Sequence, residues 1–175
     1  MPNHVINELS FEGDVLYLNR IELMTTRKGI IDFSILLPPP LNSWPGSVGE
    51  KHKVFPTNHL DWCSKNWSTK WNAYGHDEGY KSLLFVPGTL TLTFKTAWSP
   101  PYGWMLAVFN HFEASFRYGW LSEGQERAMR GAFNFAALQG WPTLDAWVEC
   151  PATDDEHRHL HKLLWGVESF DEERT

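Results

Sequence analysis

Apolar and polar residues alternate at the beginning of the chain. In "HVINELSFEG", the side chains of Val5, Asn7, Leu9 and Phe11 fall on one side, and polar residues occupy most of the other side. This period of two predicts a β-strand with one buried face. Ile6 is the exception, because it is an apolar residue on the side expected to face water.

A helical pattern follows directly. "DVLYLNRIELMTTRKG" repeats its apolar positions at intervals of three and four residues, which predicts a helix with Asp14 as its N-cap and Gly29 as its C-cap. The apolar stretch "GIIDFSILL" then predicts a second strand. This strand is expected to end at Pro38, because a proline cannot donate a hydrogen bond to a sheet.

The middle of the chain is less regular. Residues 41–57 are rich in proline, glycine and serine and predict a long loop insertion. From Asn58 the apolar spacing predicts a helix as far as Trp67. Residues 67–73 fit a continuation of this helix and a strand equally well, and "HDEG" after them predicts a turn.

Strand patterns return in the second half. "YKSLLFV" and "TLTLTFKTAW" predict two strands joined by a turn at "PG", and "ASFRYGWLSEG" with "AMRGAFNFAAL" predicts a hairpin. Between these pairs, Ser99 is predicted to cap a helix that has Pro100 in its first turn. Met105, Phe109 and Phe112 then form the apolar stripe of that helix.

The last element is a predicted C-terminal helix. Thr153 and Glu156 have the spacing of a capping box, and the helix is expected to run to about Val167. The order of elements predicts an α+β, ferredoxin-like antiparallel sheet with helices packed on one face. We place this domain at residues 1–150, with the 41–57 insertion inside it and the C-terminal helix at 151–170, packed on or beside it.

Composition and charge narrow the function. The 175 residues include ten Trp, eleven Phe and five Tyr, so the core is expected to be built on aromatic rings. The formal net charge is −6, which argues against a general nucleic-acid binder, because phosphate affinity comes from clustered Lys and Arg. An acidic protein that binds other proteins fits this balance better.

Cysteine usage and the first residues predict the compartment. Cys63 and Cys150 form no CxxC motif, so two buried thiols in a reducing environment are expected rather than a disulfide. "MPNHVINELS" lacks the basic and apolar segments of a signal peptide, and no apolar run is long enough to span a bilayer. We therefore expect a cytoplasmic protein without membrane association.

Five stretches of the chain carry a family resemblance. They are "MPNHVINELSFEG", "IDFSILLPPPLN", "DWCSKNWSTKWNA", "FKTAWSPPYGWMLAVFNHF" and "YGWLSEGQERAMRGAF", in this order. Together they resemble the YubB-type, ferredoxin-like proteins of bacteriophages and conjugative plasmids over about residues 1–135. Ser68 stands where the family's "NWGTKWNA" box has glycine, and Pro39 replaces a usual methionine. The resemblance implies a fold and a mobile-element origin, but no established activity.

The tryptophan-rich stretch supplies candidate binding residues. One interpretation is a surface that stacks on a ligand or anchors a partner, and the other is core packing of the same rings. The prolines after Trp98 add a rigid aromatic corner. The candidate partner-binding set is Trp62, Lys65, Asn66, Trp67, Lys70, Trp71, Asn72 and Trp98.

Three histidines near the C-terminus raise the question of a metal. His157 and His161 are four residues apart, a spacing that places two imidazoles on one helix face, whereas His159 points elsewhere. A third ligand would have to come from "HDEG" at residues 76–79. The chain has no HExxH, CxxC, GxSxG, P-loop or dinucleotide motif. We therefore predict no catalytic residues, no cofactor and no enzyme activity.

The resulting functional hypothesis is an accessory protein of a phage or plasmid that binds a host protein. The resemblance favours a counter-defence role, such as an inhibitor of the anti-CRISPR or anti-restriction type. One alternative is a small nucleic-acid-binding module that uses the Trp62–Asn72 segment. Another is a zinc-dependent enzyme built on His157 and His161.

Overall fold

The computed structural model describes residues 3–45, 55–80, 82–85, 88–133 and 147–166. Within these residues the strands are β1 (His4–Glu12), β2 (Thr26–Arg27), β3 (Ile30–Ile31), β4 (Ser82–Phe85), β5 (Thr89–Ala97), β6 (Phe116–Ser122), β7 (Met129–Phe133) and β8 (Trp147–Pro151). The helices are α1 (Val15–Thr25), α2 (Phe33–Leu36), α3 (His59–Asn66), α4 (Tyr102–Phe112) and α5 (Asp154–Trp165). None of the helices in these ranges is long and apolar enough to cross a lipid bilayer.

Six of the described strands form one antiparallel sheet in the order β4-β5-β1-β6-β7-β8. The predicted α+β, ferredoxin-like fold is confirmed. The two predicted strand pairs are confirmed as well, since β4 pairs with β5 and β6 pairs with β7. The short strands β2 and β3 form a separate hairpin.

The main core lies on one face of the sheet, under α1 to α4. The alternation in β1 is the one expected from the sequence, because Val5, Leu9 and Phe11 are all buried in this core. The predicted stripe of α4 points into it too, with Met105 and Phe109 fully buried. A packed layer of rings and aliphatic side chains therefore joins the sheet to four helices.

The opposite face of the sheet carries α5. Ile6 of β1 and Leu121 of β6 form a second apolar cluster with Leu160 and Leu164 of α5. This contact explains the one apolar residue on the polar side of β1, because burial of Ile6 needs the C-terminal helix. Thr153 and Glu156 form the predicted capping box at the start of α5.

Two predictions near residue 30 are wrong. The helix α1 ends at Thr25 and not at Gly29, which instead forms the two-residue turn between β2 and β3 with Lys28. The predicted second strand covers only Ile30–Ile31. Asp32 then accepts a hydrogen bond from the Ser34 N–H at 3.0 Å and caps α2, so the local side chain favours a helix over a strand.

The start of α4 also differs from the prediction. The helix begins at Tyr102 with Pro101 as its N-cap, so Ser99 does not cap it and Pro100 precedes the first turn. The Ser99 hydroxyl instead donates to the Ser68 carbonyl oxygen. The cause is a sharp turn at Trp98, whose φ of 76° redirects the chain as it leaves β5.

The remaining predictions concern the helix at Asn58, the last strand and the residues outside the described ranges. The helix predicted from Asn58 is confirmed as α3, with the Asn58 side chain accepting from the Asp61 N–H at 2.8 Å. The strand β8 was not predicted, and it extends the sheet beyond β7. Of the predicted loop, residues 46–54 lie outside the described residues, as do residues 134–138 of the predicted hairpin and Val167.

Candidate partner-binding surface

Trp67 belongs to the core. Its side chain is 1% exposed, and its Nε1 donates to the Leu37 carbonyl oxygen at 3.0 Å. The indole packs edge-on against Phe33 and Trp62. A partner cannot reach this ring, so we remove Trp67 from the predicted binding set and assign it to the core.

Asn72 is also occupied inside the protein. Its Oδ1 accepts from the Phe33 N–H at 2.8 Å, and its Nδ2 donates to Asp32 at 2.8 Å. Burial acts to raise the pKa of Asp32, but hydrogen bonds from Ser34 and Asn72 lower it below the usual value of this carboxyl. Asn72 therefore ties the tryptophan-rich segment to the start of α2.

The rest of α3 is divided between core and solvent. Trp62 is half-buried and packs against the core, and Asn66 donates to the Trp62 carbonyl oxygen within the helix. Lys65 is exposed. The half-buried Trp62 supports the packing of Trp67, and it does not form a platform with Trp67 and Trp71.

A partly exposed group remains at the end of the segment, and only Trp98 in it is mostly exposed. Lys70 lies between two indoles, with its Nζ 4.2 Å from the Trp98 ring centroid and 5.0 Å from the Trp71 ring centroid. Trp98 is 58% exposed, and Trp71 is half-buried with its edge toward Tyr74. We call Lys70, Trp71 and Trp98 the aromatic–lysine surface.

The backbone holds Trp98 in an unfavourable conformation. Its φ of 76° lies in the left-handed region, which costs a bulky residue roughly 1–3 kcal/mol. The Trp98 N–H donates to the Asn3 carbonyl oxygen at 2.9 Å, and the Thr96 hydroxyl donates to the Ser99 carbonyl oxygen at 2.8 Å. These bonds on both sides of the turn keep the indole directed outward.

Ser68 shares this type of backbone conformation. Its φ is 64°, which accounts for the glycine that the resembling family has at this position. The Ser68 hydroxyl accepts from the Gly103 N–H at 3.1 Å. A side chain at Gly103 would place its Cβ 2.2 Å from the Asn66 carbonyl oxygen, so this close approach of α3 and α4 requires glycine. Serine is tolerated at position 68 because its hydroxyl contributes this contact.

Two histidines of α5, His157 and His161, contribute to the packing of the helix. His157 Nδ1 accepts from the Ala128 N–H at 3.2 Å, and His161 is 2% exposed against the sheet. Burial, with the neighbouring His161 and Arg127, lowers the pKa of His157. Among the described residues, no three His, Cys, Asp or Glu side chains are grouped so that they could hold a metal ion. The 76–79 turn supplies no third ligand to this pair.

His159 lies on another side of the helix. Its Nε2 is 2.9 Å from the Glu8 carboxylate, and this hydrogen bond raises the pKa of His159. Cys63 is buried, which raises the pKa of its thiol to about 11, whereas Cys150 is exposed. The expectation of two buried thiols is therefore wrong for Cys150, because it lies on β8 beside a cavity of about 500 Å³.

Sequence reasoning missed a polar cluster on the core face. One oxygen of Glu149 accepts from Tyr102 OH at 3.1 Å, from Tyr118 OH at 3.4 Å and from Trp120 Nε1 at 2.5 Å. Burial and the charge of Glu149 raise the pKa of both tyrosines, so they act as neutral donors. The cluster fixes β8 to β6 and α4. A charged residue within "WVEC" was its only sequence signal.

Comparison with known proteins supports the fold. Residues 58–136 match the family described as the ferredoxin-like domain in Api92-like protein. The match begins at the N-cap of α3 and ends just past β7, so it includes the whole aromatic–lysine surface. No curated protein and no solved structure matches the chain. The predicted ferredoxin-like fold thus agrees with the family that residues 58–136 match.

Proposed function

We propose that this protein acts by binding another protein through the aromatic–lysine surface. The observation that carries the proposal is the exposed indole of Trp98, which the backbone holds in a strained, left-handed conformation. Strain of this kind persists where the surroundings enforce it, and it is concentrated at functional sites. Tryptophan is also enriched among the residues that dominate binding energy at protein interfaces.

The composition of the surface favours a protein partner over a nucleic acid. Lys70 is its one cation, and it already lies against both indoles. The net charge of −6 opposes a phosphate backbone. A partner that covers the rings would remove apolar area from water and leave the ammonium group at the rim of the interface.

The resemblance to YubB-type proteins supports a finer proposal. In it, the protein is carried by a bacteriophage or conjugative plasmid and works in the host cytoplasm. Its partner is a host protein, and binding inhibits an immune or restriction system in the manner of anti-CRISPR or anti-restriction proteins. The protein needs no catalytic residue for this role.

Single-stranded nucleic acid is the second candidate ligand. The observation that favours it is the cation between two indoles, since stacking rings with a basic side chain also bind bases and their phosphates. Binding of this type weakens steeply as salt increases. A salt titration with labelled single-stranded DNA and RNA separates the two candidates, because binding at low ionic strength is required by the second and not by the first.

The test uses two exposed tryptophans. We expect the tagged chain to capture a host protein at a fixed stoichiometry, and Trp98→Ala to abolish the capture. Trp165→Ala is the matched control, because Trp165 is 43% exposed at the end of α5, far from β5 in the chain. Retention of the same partner by Trp98→Ala, or its loss from both variants, would contradict the proposal.

A further inference from the structure

A cavity of about 500 Å³ lies on the face of the sheet that carries α5. The helix covers the sheet at Ile6 and Leu121, and the cavity occupies the uncovered part beside it. Its volume is within the range of sites that hold small molecules. The aromatic–lysine surface contributes no residue to the cavity, so the two sites are separate.

Small residues form the floor of the cavity. The strand register places Ser10, Gly119 and Ala132 on neighbouring strands with their Cβ positions toward α5. A side chain at Gly119 would put its Cβ 3.1 Å from Leu160 Cδ1, so glycine lets α5 approach the sheet here. The small side chains leave room above the strands that larger residues would fill.

Two arginines and two carboxylates line the walls. Arg130 Nη1 is 3.2 Å from each carboxylate oxygen of Glu156, and Glu8 is paired with His159 at 2.9 Å. Arg117 is the second arginine, and it pairs with Glu12, which does not line the cavity. The cavity is thus lined by two arginines and two glutamates, with His159 beside Glu8.

We propose that this cavity binds a small zwitterion, namely an amino acid or short peptide with a free ammonium group and a free carboxylate. The carboxylate would be held by Arg117 and Arg130, and the ammonium group by Glu8, in exchange for part of the present pairing of these groups with Glu12, Glu156 and His159. A phosphate would use the two arginines but would bring no cation to Glu8 and would lie near both glutamate carboxylates. An apolar ligand would bury the charged groups without hydrogen-bonding to them.

The exposed thiol of Cys150 provides the assay, because it lines the cavity and Cys63 is fully buried. We expect triglycine to slow the alkylation of Cys150 at least fivefold at saturation. Triglycine that is N-acetylated and C-amidated, and inorganic phosphate, should leave the rate unchanged. The buried Cys63 reports unfolding, since it is alkylated only when the protein opens.

Variants of the floor and of a distant helix complete the test. Ser10→Leu should reduce triglycine affinity at least tenfold by filling the cavity, whereas Arg20→Gln on α1 should leave it unchanged. Equal protection by the capped peptide or by phosphate would overturn the proposal. Absence of protection by triglycine and by all twenty amino acids would overturn it as well.

Discussion

The substitution Trp67→Phe tests whether the tryptophan-rich stretch is core. The indole of Trp67 is 1% exposed and makes one hydrogen bond, from Nε1 to the Leu37 carbonyl oxygen. Phenylalanine keeps an aromatic ring against Phe33, but it removes this donor and the second ring of the indole. The change therefore separates the packing role of Trp67 from any role at the surface.

The expected loss of stability has two parts. Removal of the Nε1 donor costs about 1 kcal/mol and leaves the Leu37 carbonyl oxygen without this partner. The smaller ring leaves a void of roughly 40 Å³, which adds about 1 kcal/mol at ~24 cal/mol per Å³. The free energy of unfolding should fall by about 2 kcal/mol, and Tm by roughly 4–8 °C.

Urea unfolding followed by circular dichroism measures this change, with the m-value compared between variants. Trp98→Phe is the matched control, because the same substitution at a residue that is 58% exposed should change stability by less than about 0.5 kcal/mol. A Trp67→Phe effect as small as that of Trp98→Phe would refute the placement of Trp67 in the core.

Other substitutions test the remaining interactions. Glu149→Leu should lower the free energy of unfolding in urea by about 2–4 kcal/mol, because three donors lose their acceptor. Glu149→Gln should lower it less, and equal losses would contradict this account. Lys28→Asn should raise the free energy of unfolding by about 0.5 kcal/mol, and Tm with it, because asparagine tolerates the φ of 56° before Gly29. A lower Tm would count against the turn. The lowered pKa of His157 means that its neutral form stabilises the fold, and this contribution is lost as pH falls below about 6.5. His157→Gln should therefore make the decrease of Tm at acidic pH less steep. The raised pKa of His159 has the opposite effect on stability: its contribution is complete below about pH 6.5 and is lost as pH rises through the folded pKa. His159→Gln should therefore lower Tm most at acidic pH. A uniform loss of Tm at all pH values would contradict the pairing with Glu8.

Elements with strong local signals could be predicted from the sequence. The alternation in β1 and the capping side chains of Asp14, Asn58 and Thr153 depend on residues a few positions apart. The side chain of each of these three residues accepts a hydrogen bond from the first turn of its helix. Propensity and pattern agree at these places, which is why the predicted starts of these elements match the observed ones.

Elements set by distant contacts could not be predicted. The strand β8 depends on pairing with β7, and "WVECP" alone has no clear alternation. Gly29 looked like a helix C-cap, but the hairpin of β2 and β3 uses it as a turn. The contact between Lys70 and Trp98 joins two separate segments, so sequence analysis could name both residues without bringing them together.

The tryptophans show why an aromatic surplus is weak evidence for a binding surface. Trp67 and Trp120 have their N–H groups hydrogen-bonded inside the protein, and Trp104 is fully buried. Packing accounts for the burial of these rings. It does not account for Trp98, since its side chain is mostly exposed and glycine would relieve its backbone strain. A residue that costs stability where packing gains little fits the proposed binding role, and this asymmetry makes Trp98, rather than the tryptophan-rich stretch, the centre of the proposed interface.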